Sequence, residues 1–231
     1  MKVLIISGTS HKGSSYSIGR IAAEKLTTAE NISEVFLPRD FNEFCCGCTN
    51  CFTKGAETCP HAAKLAPITG LIDAADVLIL TSPVYVYHCT GQMKALLDHY
   101  GWRWMAHRPE EKMFSKQAIV VATAAGAGVK STMKDMADSC FFWGIPQTYK
   151  LGRAVAATDW QSVKPKIKDS ISAKADSIAK KILKRQGKVP VSLKTKGFFK
   201  IMSLLQRNGW NPADADYWKG KGWTGSKRPW K

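Results

Sequence analysis

The segment 7–17 is the first part of the chain whose residue types suggest chemistry. It follows the apolar run 3–6 and carries the hydroxyl side chains of Ser7, Thr9, Ser10, Ser14, Ser15 and Ser17. Such a loop before a helix can bind phosphate, because the first N–H groups of a helix are unpaired and carry partial positive charge. Gly8 and Gly13 let the backbone approach a phosphate closely. The hydroxyl donors suit a terminal phosphate monoester, so the loop predicts a mononucleotide site.

Two better-known phosphate loops do not match this segment. A Walker A loop needs Ser or Thr after its lysine, but Lys12 is followed by Gly13. The dinucleotide fingerprint needs three glycines at fixed offsets, and the segment has only Gly8 and Gly13. The alternative is an ordinary capped turn between a strand and a helix, since Ser and Thr are common N-cap residues. The hydroxyl groups exceed what capping requires, and we therefore favour phosphate binding.

Cysteines form the second group of residues with chemical potential, because five of the seven lie between positions 45 and 59. Four of them have the compact spacing C-x2-C-x2-C-x7-C, which can place thiolates around a [4Fe–4S] cluster: Cys45, Cys48, Cys51 and Cys59. Cys46 falls outside this pattern. Four thiolates can also form a tetrahedral zinc site, and free thiols are the third alternative.

The composition predicts a cytoplasmic protein with no membrane span. No run approaches the roughly 18 uninterrupted apolar residues of a membrane helix, and residues 1–2 lead directly into a predicted strand rather than a signal sequence. Stable disulfides are rare in the cytoplasm, which favours metal ligation or free thiols for the cysteines.

Apolar runs alternate with helical patterns along the first 185 residues. The predicted strands are 2–7, 33–37, 77–82, 117–124 and 148–154, and the predicted helices are 17–27, 64–75, 91–100, 131–142 and 162–185. Continuously apolar strands are typical of a parallel sheet whose two faces are both covered by helices. The pattern therefore predicts an α/β, three-layer, doubly wound fold. Ligands of such sheets bind beyond the C-terminal ends of the strands, so the loops at that edge are the candidate site.

Two motifs after the third predicted strand are distinctive. Ser82-Pro83-Val84-Tyr85 follows the strand, and Gly91-Gln92-Met93-Lys94-Ala95-Leu96-Leu97-Asp98-His99 opens the next helix. With the first loop, they resemble the signature of the NAD(P)H-dependent FMN reductase family of flavodoxin-like oxidoreductases. The resemblance covers residues 1–185 and implies a flavodoxin-like, five-stranded parallel sheet of order 2-1-3-4-5.

The resemblance also implies which residues bind FMN. The first loop would hold the FMN phosphate through Thr9, His11, Ser14, Ser15, Tyr16 and Ser17. The isoalloxazine ring would lie along Pro83, Val84, Tyr85 and Val86, with its other edge closed by Ala124, Ala125 and Gly126. The family commonly has Arg or Lys followed by Ser-Asn or Ser-Thr in the first loop, and this chain departs from that pattern.

The implied activity is the transfer of electrons from NAD(P)H through FMN to a small acceptor, such as a flavin or a quinone. The flavin performs this chemistry, so no catalytic side chain is assigned. The cysteine spacing resembles that of the iron-sulfur flavoproteins, in which a [4Fe–4S] cluster relays electrons to FMN. The alternative function is therefore electron transfer from a protein donor such as ferredoxin. Flavodoxins are usually acidic, and the formal net charge of +16 argues against a carrier of that kind.

The last part of the chain has a different composition. Lys and Arg outnumber Asp and Glu by 19 to 5 in residues 151–231, but only by 15 to 13 in residues 1–150. Residues 1–185 are predicted to form the FMN-binding domain, and residues 186–231 a basic, aromatic-rich extension that packs on this domain or on a dimer partner. Within the extension we expect a linker at 187–196, a helix at 197–205 and an aromatic tail at 210–230. The alternative for the tail is a contact with a membrane surface or a nucleic acid, which Lys and Arg interleaved with aromatic residues also suit. No helix-turn-helix or zinc-finger motif supports the nucleic-acid version, so we expect a homo-oligomer, a dimer or a tetramer, and no nucleic-acid partner.

Overall fold

Five parallel strands form one sheet of order β2-β1-β3-β4-β5 in the computed structural model, which describes residues 1–231. The strands are β1 Val3–Ser7, β2 Ile32–Phe36, β3 Val77–Pro83, β4 Gln117–Ala124 and β5 Gln147–Ala154. Val3 of β1 pairs with Ile32 of β2 on one side and Val77 of β3 on the other. The predicted flavodoxin-like sheet order is confirmed, and each observed strand lies within one residue of its predicted bounds.

Besides four short 3-10 helices, the chain has eight α-helices. They are α1 Ser14–Glu24, α2 Asn50–Thr53, α3 Ala62–Ala74, α4 Gly91–His99, α5 Val129–Phe142, α6 Pro165–Lys184, α7 Leu193–Arg207 and α8 Pro212–Gly220. Helix α1 begins three residues earlier than predicted because Gly13, rather than a serine, occupies the N-cap position. Helix α6 begins three residues later than predicted because Pro165 occupies its first turn, where proline is favoured. No helix is long and apolar enough to cross a lipid bilayer.

The sheet separates two hydrophobic cores. Leu4, Ile6 and Leu80 point to the face that α3, α4 and α5 cover, while Ile5 and Ile79 point to the face that α1 and α6 cover. This alternation places helices on both faces of the sheet and explains why the strands read as continuously apolar. The loops at the C-terminal edge of the sheet are thereby held by packed elements on both sides.

A third, smaller core joins the C-terminal extension to the rest of the chain. Phe199 of α7, Trp218 of α8 and Trp223 are buried against Met105 and Phe114. The sequence analysis missed α8, which Asn211 caps by accepting a hydrogen bond from the Ala213 N–H, and placed the start of α7 four residues late. The Ser192 hydroxyl caps α7 by accepting from the Thr195 N–H. In this structure Phe199, Trp218 and Trp223 therefore pack within their own chain, whereas Trp210 is 70% exposed.

Candidate functional site

A cleft opens at the C-terminal edge of the sheet, where the ends of β1, β3, β4 and β5 meet. It is lined by Thr9, His11, Gly13, Ser14, Ser15, Tyr16, Pro83, Val84, Thr123, Ala124, Ala125, Val155, Ala157 and Thr158. Nine of these residues belong to the set predicted from the sequence. The other predicted residues, Ser17, Tyr85, Val86 and Gly126, do not line this cleft. The Ser17 hydroxyl donates instead to the Gly13 carbonyl oxygen over 3.1 Å.

The start of α1 provides the polar wall of the cleft. Gly13 stands at the N-cap position, so no side chain caps the helix and its first N–H groups have no intrahelical acceptor. The Ser14 Oγ is buried and has no hydrogen-bond partner. A buried hydroxyl without a partner is costly unless a ligand satisfies it. The uncapped helix and this hydroxyl together form donors that fit an anion such as a phosphate.

Two buried threonines tie the loops of the cleft together. The hydroxyls of Ser15 and Thr123 lie 2.6 Å apart and connect α1 to the end of β4. The Thr90 hydroxyl donates to the Gly8 carbonyl oxygen over 2.7 Å, and the Thr90 N–H donates to the Ser82 Oγ over 3.0 Å. A Cβ at Gly8 would lie 2.7 Å from the Thr90 Oγ1, so only glycine allows this approach. These contacts fix the spacing of the first loop and the loop that follows β3.

Tyr16 closes the β2 side of the cleft. Its hydroxyl donates to the Glu34 Oε1 over 2.8 Å, and burial raises the pKa of Tyr16 to about 12. The phenol is therefore neutral at physiological pH and acts as a hydrogen-bond donor. The Lys12 Nζ lies 5.3 Å from the centre of the Tyr16 ring, which places a positive charge beside the first loop.

A strained turn borders the cleft after β3. Tyr85 and His88 exchange backbone hydrogen bonds, and the two residues between them have positive φ angles, 48° for Val86 and 68° for Tyr87. This backbone favours Asn and Gly and is unusual for a β-branched residue. Val86 is 93% exposed, and Tyr85 and Tyr87 are also exposed. Strain of this kind is typical of segments that contact ligands, and the turn presents apolar side chains beside the cleft.

The predicted cysteine ligands lie in the loop between β2 and α3. Burial raises the pKa of the Cys51 thiol, and the nearby thiols of Cys59, Cys45 and Cys48 raise it further. Cys45 and Cys48 are exposed and Cys51 and Cys59 are partly buried, and a set of four thiolates is the donor type that iron-sulfur clusters require. The Arg108 guanidinium donates to the carbonyl oxygens of Cys51 and Phe52. Buried Asp214 of α8 accepts a hydrogen bond from the same guanidinium, so the extension supports this loop.

Several residues of the cleft were not identified in the sequence. Thr123 belongs to β4 itself, while Val155, Ala157 and Thr158 follow β5. The order of the strands could have predicted that residues after β5 line the cleft, because the end of β5 lies beside the end of β4 at the same edge of the sheet. The flavin-site residues predicted from the sequence lie at or after the ends of β1, β3 and β4 only.

Comparison with known proteins adds information that the geometry does not contain. The iron-sulfur flavoprotein of Archaeoglobus fulgidus is 26% identical over 231 residues, covering 96% of this chain and 99% of that protein. An azoreductase from Bacillus anthracis str. Sterne has a TM-score of 0.58 at 13% identity, covering 78% of this chain and 99% of its own. The NAD(P)H:quinone oxidoreductase from Methanothermobacter marburgensis has a TM-score of 0.57 at 17% identity, covering 78% and 94%. The two solved structures share the flavodoxin-like fold with this chain.

A family model gives the assignment. The model described as NADPH-dependent FMN reductase matches residues 1–159, a range that contains all five strands and every residue that lines the cleft. The chain therefore belongs to the NADPH-dependent FMN reductase family and is an oxidoreductase.

Proposed function

We propose that this enzyme passes electrons from NAD(P)H through FMN bound in the cleft to a small acceptor, such as a free flavin or a quinone. The observation that carries the proposal is the partnerless, buried Ser14 hydroxyl at the uncapped start of α1. These donors fit the FMN phosphate, which is the charged end of the cofactor. The family assignment supports FMN as the ligand.

The remaining predicted residues divide between the two ends of the cofactor. The phosphate would be held by Thr9, His11, Ser14, Ser15, Tyr16 and Ser17, the last through its helical backbone. The ring would lie along Pro83, Val84, Tyr85 and Val86 and against Ala124, Ala125 and Gly126. No atom lies within 4 Å of the position a Cβ would occupy on Gly126, so a flat ring has open space there. When bound, FMN supplies the hydride and electron chemistry, and the chain supplies orientation.

The surface beside the ring suits two successive substrates. Tyr85 is 49% exposed and Tyr87 64% exposed, so apolar side chains are available to contact a nicotinamide first and an acceptor afterwards. The excess of Lys and Arg attracts the phosphate groups of NAD(P)H. We assign no side chain to covalent or proton-transfer chemistry.

Anaerobic stopped-flow mixing of the FMN-loaded protein with NADPH or NADH tests the proposal. We expect the absorbance of the oxidised flavin to decrease with at least one nicotinamide and to recover after addition of a quinone. Dithionite serves as the control reductant. If dithionite reduces the flavin and neither nicotinamide does so, the proposed electron donor is wrong.

A second candidate function is favoured by the cysteines. Cys45, Cys48, Cys51 and Cys59 share the segment between β2 and α3, and the iron-sulfur flavoprotein of Archaeoglobus fulgidus aligns with 96% of this chain. In this alternative the four thiolates hold a [4Fe–4S] cluster, and electrons arrive from a protein donor such as ferredoxin. Iron and sulfide analysis after anaerobic purification tests it. Four irons per chain, lost in a Cys45→Ser/Cys48→Ser variant, would support the alternative, and an iron-free protein would exclude it.

We further propose that the protein is a homo-oligomer in the cytoplasm and that residues 186–231 are an extension of a domain formed by residues 1–185. Exposed apolar side chains on α7, those of Ile201, Leu204 and Leu205, support a subunit contact. Light scattering coupled to size-exclusion chromatography tests the oligomeric state, and a monomer at micromolar concentration would contradict it.

A further inference from the structure

Three potential metal ligands converge at a place that the flavin site does not use. The Sγ of Cys59 and one ring nitrogen each of His61 and His99 all lie within 4.8 Å of one another. Cys59 and His61 precede α3, and His99 is the last residue of α4. We propose that these three residues form a binding site for a divalent transition metal, for which Zn²⁺ is the best match.

The hydrogen bonds of the two imidazoles leave two ring nitrogens facing each other. The Nδ1 of His99 lies 2.7 Å from the Ala95 carbonyl oxygen, so this nitrogen carries the proton and the Nε2 presents a lone pair. The Nδ1 of His61 lies 2.9 Å from this Nε2, a distance at which the His61 ring donates to it. A metal ion that binds between the rings takes the place of this shared hydrogen and coordinates both nitrogens.

The outer partners match those of known metal-binding histidines. Such histidines usually donate the second ring N–H to a carboxylate or a backbone carbonyl, which fixes the ring orientation. Here the Ala95 carbonyl has this role for His99, and the Glu43 carboxylate, which pairs with the Lys64 ammonium, lies 3.6 Å from the Nε2 of His61. The Phe41 ring contacts the buried His99 ring edge-on, with 4.9 Å between centroids. The rings are thus held in place before a metal binds.

The donor set indicates the type of metal. Two imidazole nitrogens and one thiolate suit Zn²⁺, whereas calcium and magnesium require oxygen ligands. Three protein ligands leave the fourth tetrahedral position for water or another small ligand. His61 is 19% exposed, and Cys59 also lines a largely apolar cavity of about 560 Å³, so the metal has a path from solvent.

The proposed site is independent of the flavin but competes with the iron-sulfur alternative. Cys59 is the one residue common to the two metal sites, and its thiolate can serve only one of them. His61 and His99 belong to the zinc site alone, while Cys45, Cys48 and Cys51 belong to the cluster alone. Variants at these two sets of residues therefore separate the two assignments.

Zinc titration of the FMN-loaded protein, after removal of bound metals with a chelator, tests the site. We expect calorimetry to show one Zn²⁺ per chain. We expect His61→Ala and Cys59→Ser each to lower the affinity for Zn²⁺ by at least about 100-fold, because each removes a ligand. This loss is larger than the loss that usually follows when an outer partner is removed. Glu43→Gln removes an outer partner and should lower the affinity by about 10- to 100-fold. The matched control Cys45→Ser/Cys48→Ser should bind zinc as the wild type does.

Flavin content shows whether each variant is folded, because none of the substituted residues lines the flavin cleft. The proposal is overturned if the folded wild type binds no zinc. It is also overturned if His61→Ala retains full affinity while the control loses it, because that result would assign zinc to the other cysteines. Either outcome leaves the proposed flavin chemistry untouched.

Discussion

At the scale of single residues, two buried polar groups differ in whether the chain supplies their hydrogen-bond partners: the hydroxyl of Ser14 and the ammonium of Lys116. The Ser14 Oγ has no partner within the chain, and Ser14 lines the cleft. The Lys116 Nζ is satisfied internally, donating to the carbonyl oxygens of Asp73 and Ala75. The first arrangement suits a ligand site, and the second suits a structural anchor at the opposite edge of the sheet.

We predict that Ser14→Ala weakens FMN binding by about 10- to 100-fold, the loss expected for one hydrogen bond to a charged group. The stability of the FMN-free protein should not decrease, because the hydroxyl has no internal partner to lose. Ser17→Ala is the matched control, since its hydroxyl donates to the Gly13 carbonyl oxygen. Flavin fluorescence titration measures both affinities, and equal losses in the two variants would contradict the assignment.

Lys116 gives a prediction for the pH dependence of stability. Burial lowers the pKa of Lys116 from 10.5 to about 8. Between these values the unfolded chain holds more protons than the folded one, so this residue makes the free energy of unfolding rise with pH. Lys116→Met removes that contribution. Between pH 7 and pH 10, we expect the free energy of unfolding of the wild type to rise by about 2 to 3 kcal/mol relative to that of the variant. Urea unfolding at both pH values measures the difference in free energy of unfolding between wild type and variant. A difference that does not change with pH would refute the lowered pKa of Lys116.

At the scale of elements, the turn after β3 combines a strained backbone with exposed apolar side chains. Val86 has a φ of 48° and is 93% exposed, so its side chain does not pack in the core. The Ser131 hydroxyl donates to the Tyr87 carbonyl oxygen, and a Cβ on Gly128 would lie 2.5 Å from the Val84 Cγ1. The start of α5 therefore holds the turn in this conformation.

We predict that Val86→Asn raises the free energy of unfolding of the FMN-free protein by about 1 kcal/mol, because Asn adopts positive φ at lower cost. Val86→Ala is the control: it removes the β-branched side chain but keeps a residue that disfavours this backbone. Urea unfolding at pH 7 measures both. A larger gain in the alanine variant would mean that the side chain, not the backbone, is the source of strain.

The elements also show what the sequence can and cannot predict. The strands were identified to within a residue, because a parallel sheet covered on both faces requires continuous apolar runs. Helix α8 was missed, because Trp218 and Trp223 suggested a tail and the contacts that bury the helix, such as the Asp214–Arg108 pair, join residues far apart in the chain. The sequence also does not predict that His99 lies near Cys59, since their proximity depends on the packing of α3 against α4. Loop composition and family motifs together predict nine of the residues that line the cleft.

At the scale of the whole molecule, the extension and the sheet domain share buried surface. The Phe199 side chain packs against Phe114 and Trp218, and the Trp218 indole donates to the His107 carbonyl oxygen over 2.5 Å. Asp214, fully buried, pairs with Arg108 and His107. These contacts predict that the chain unfolds as one cooperative unit.

We predict that Phe199→Ala lowers the free energy of unfolding by about 3 to 5 kcal/mol, the usual cost of removing a buried aromatic side chain. Ile201→Ala on the same helix is the matched control. Its side chain is 54% exposed, so the loss should stay below about 1 kcal/mol. Unfolding followed by tryptophan fluorescence and by circular dichroism should give one coincident transition. Two separate transitions, with only one shifted by Phe199→Ala, would show that the extension folds independently.

The proposed enzyme depends on FMN binding through its phosphate at the start of α1. Calorimetric titration of the flavin-free protein with FMN and with riboflavin, which lacks the phosphate, tests this most directly. We expect one FMN per chain at micromolar or lower dissociation constant, and riboflavin binding at least about 100-fold weaker, as lost charge-assisted hydrogen bonds require. Equal affinity for the two flavins, or no uptake of FMN, would contradict the assignment of the cleft.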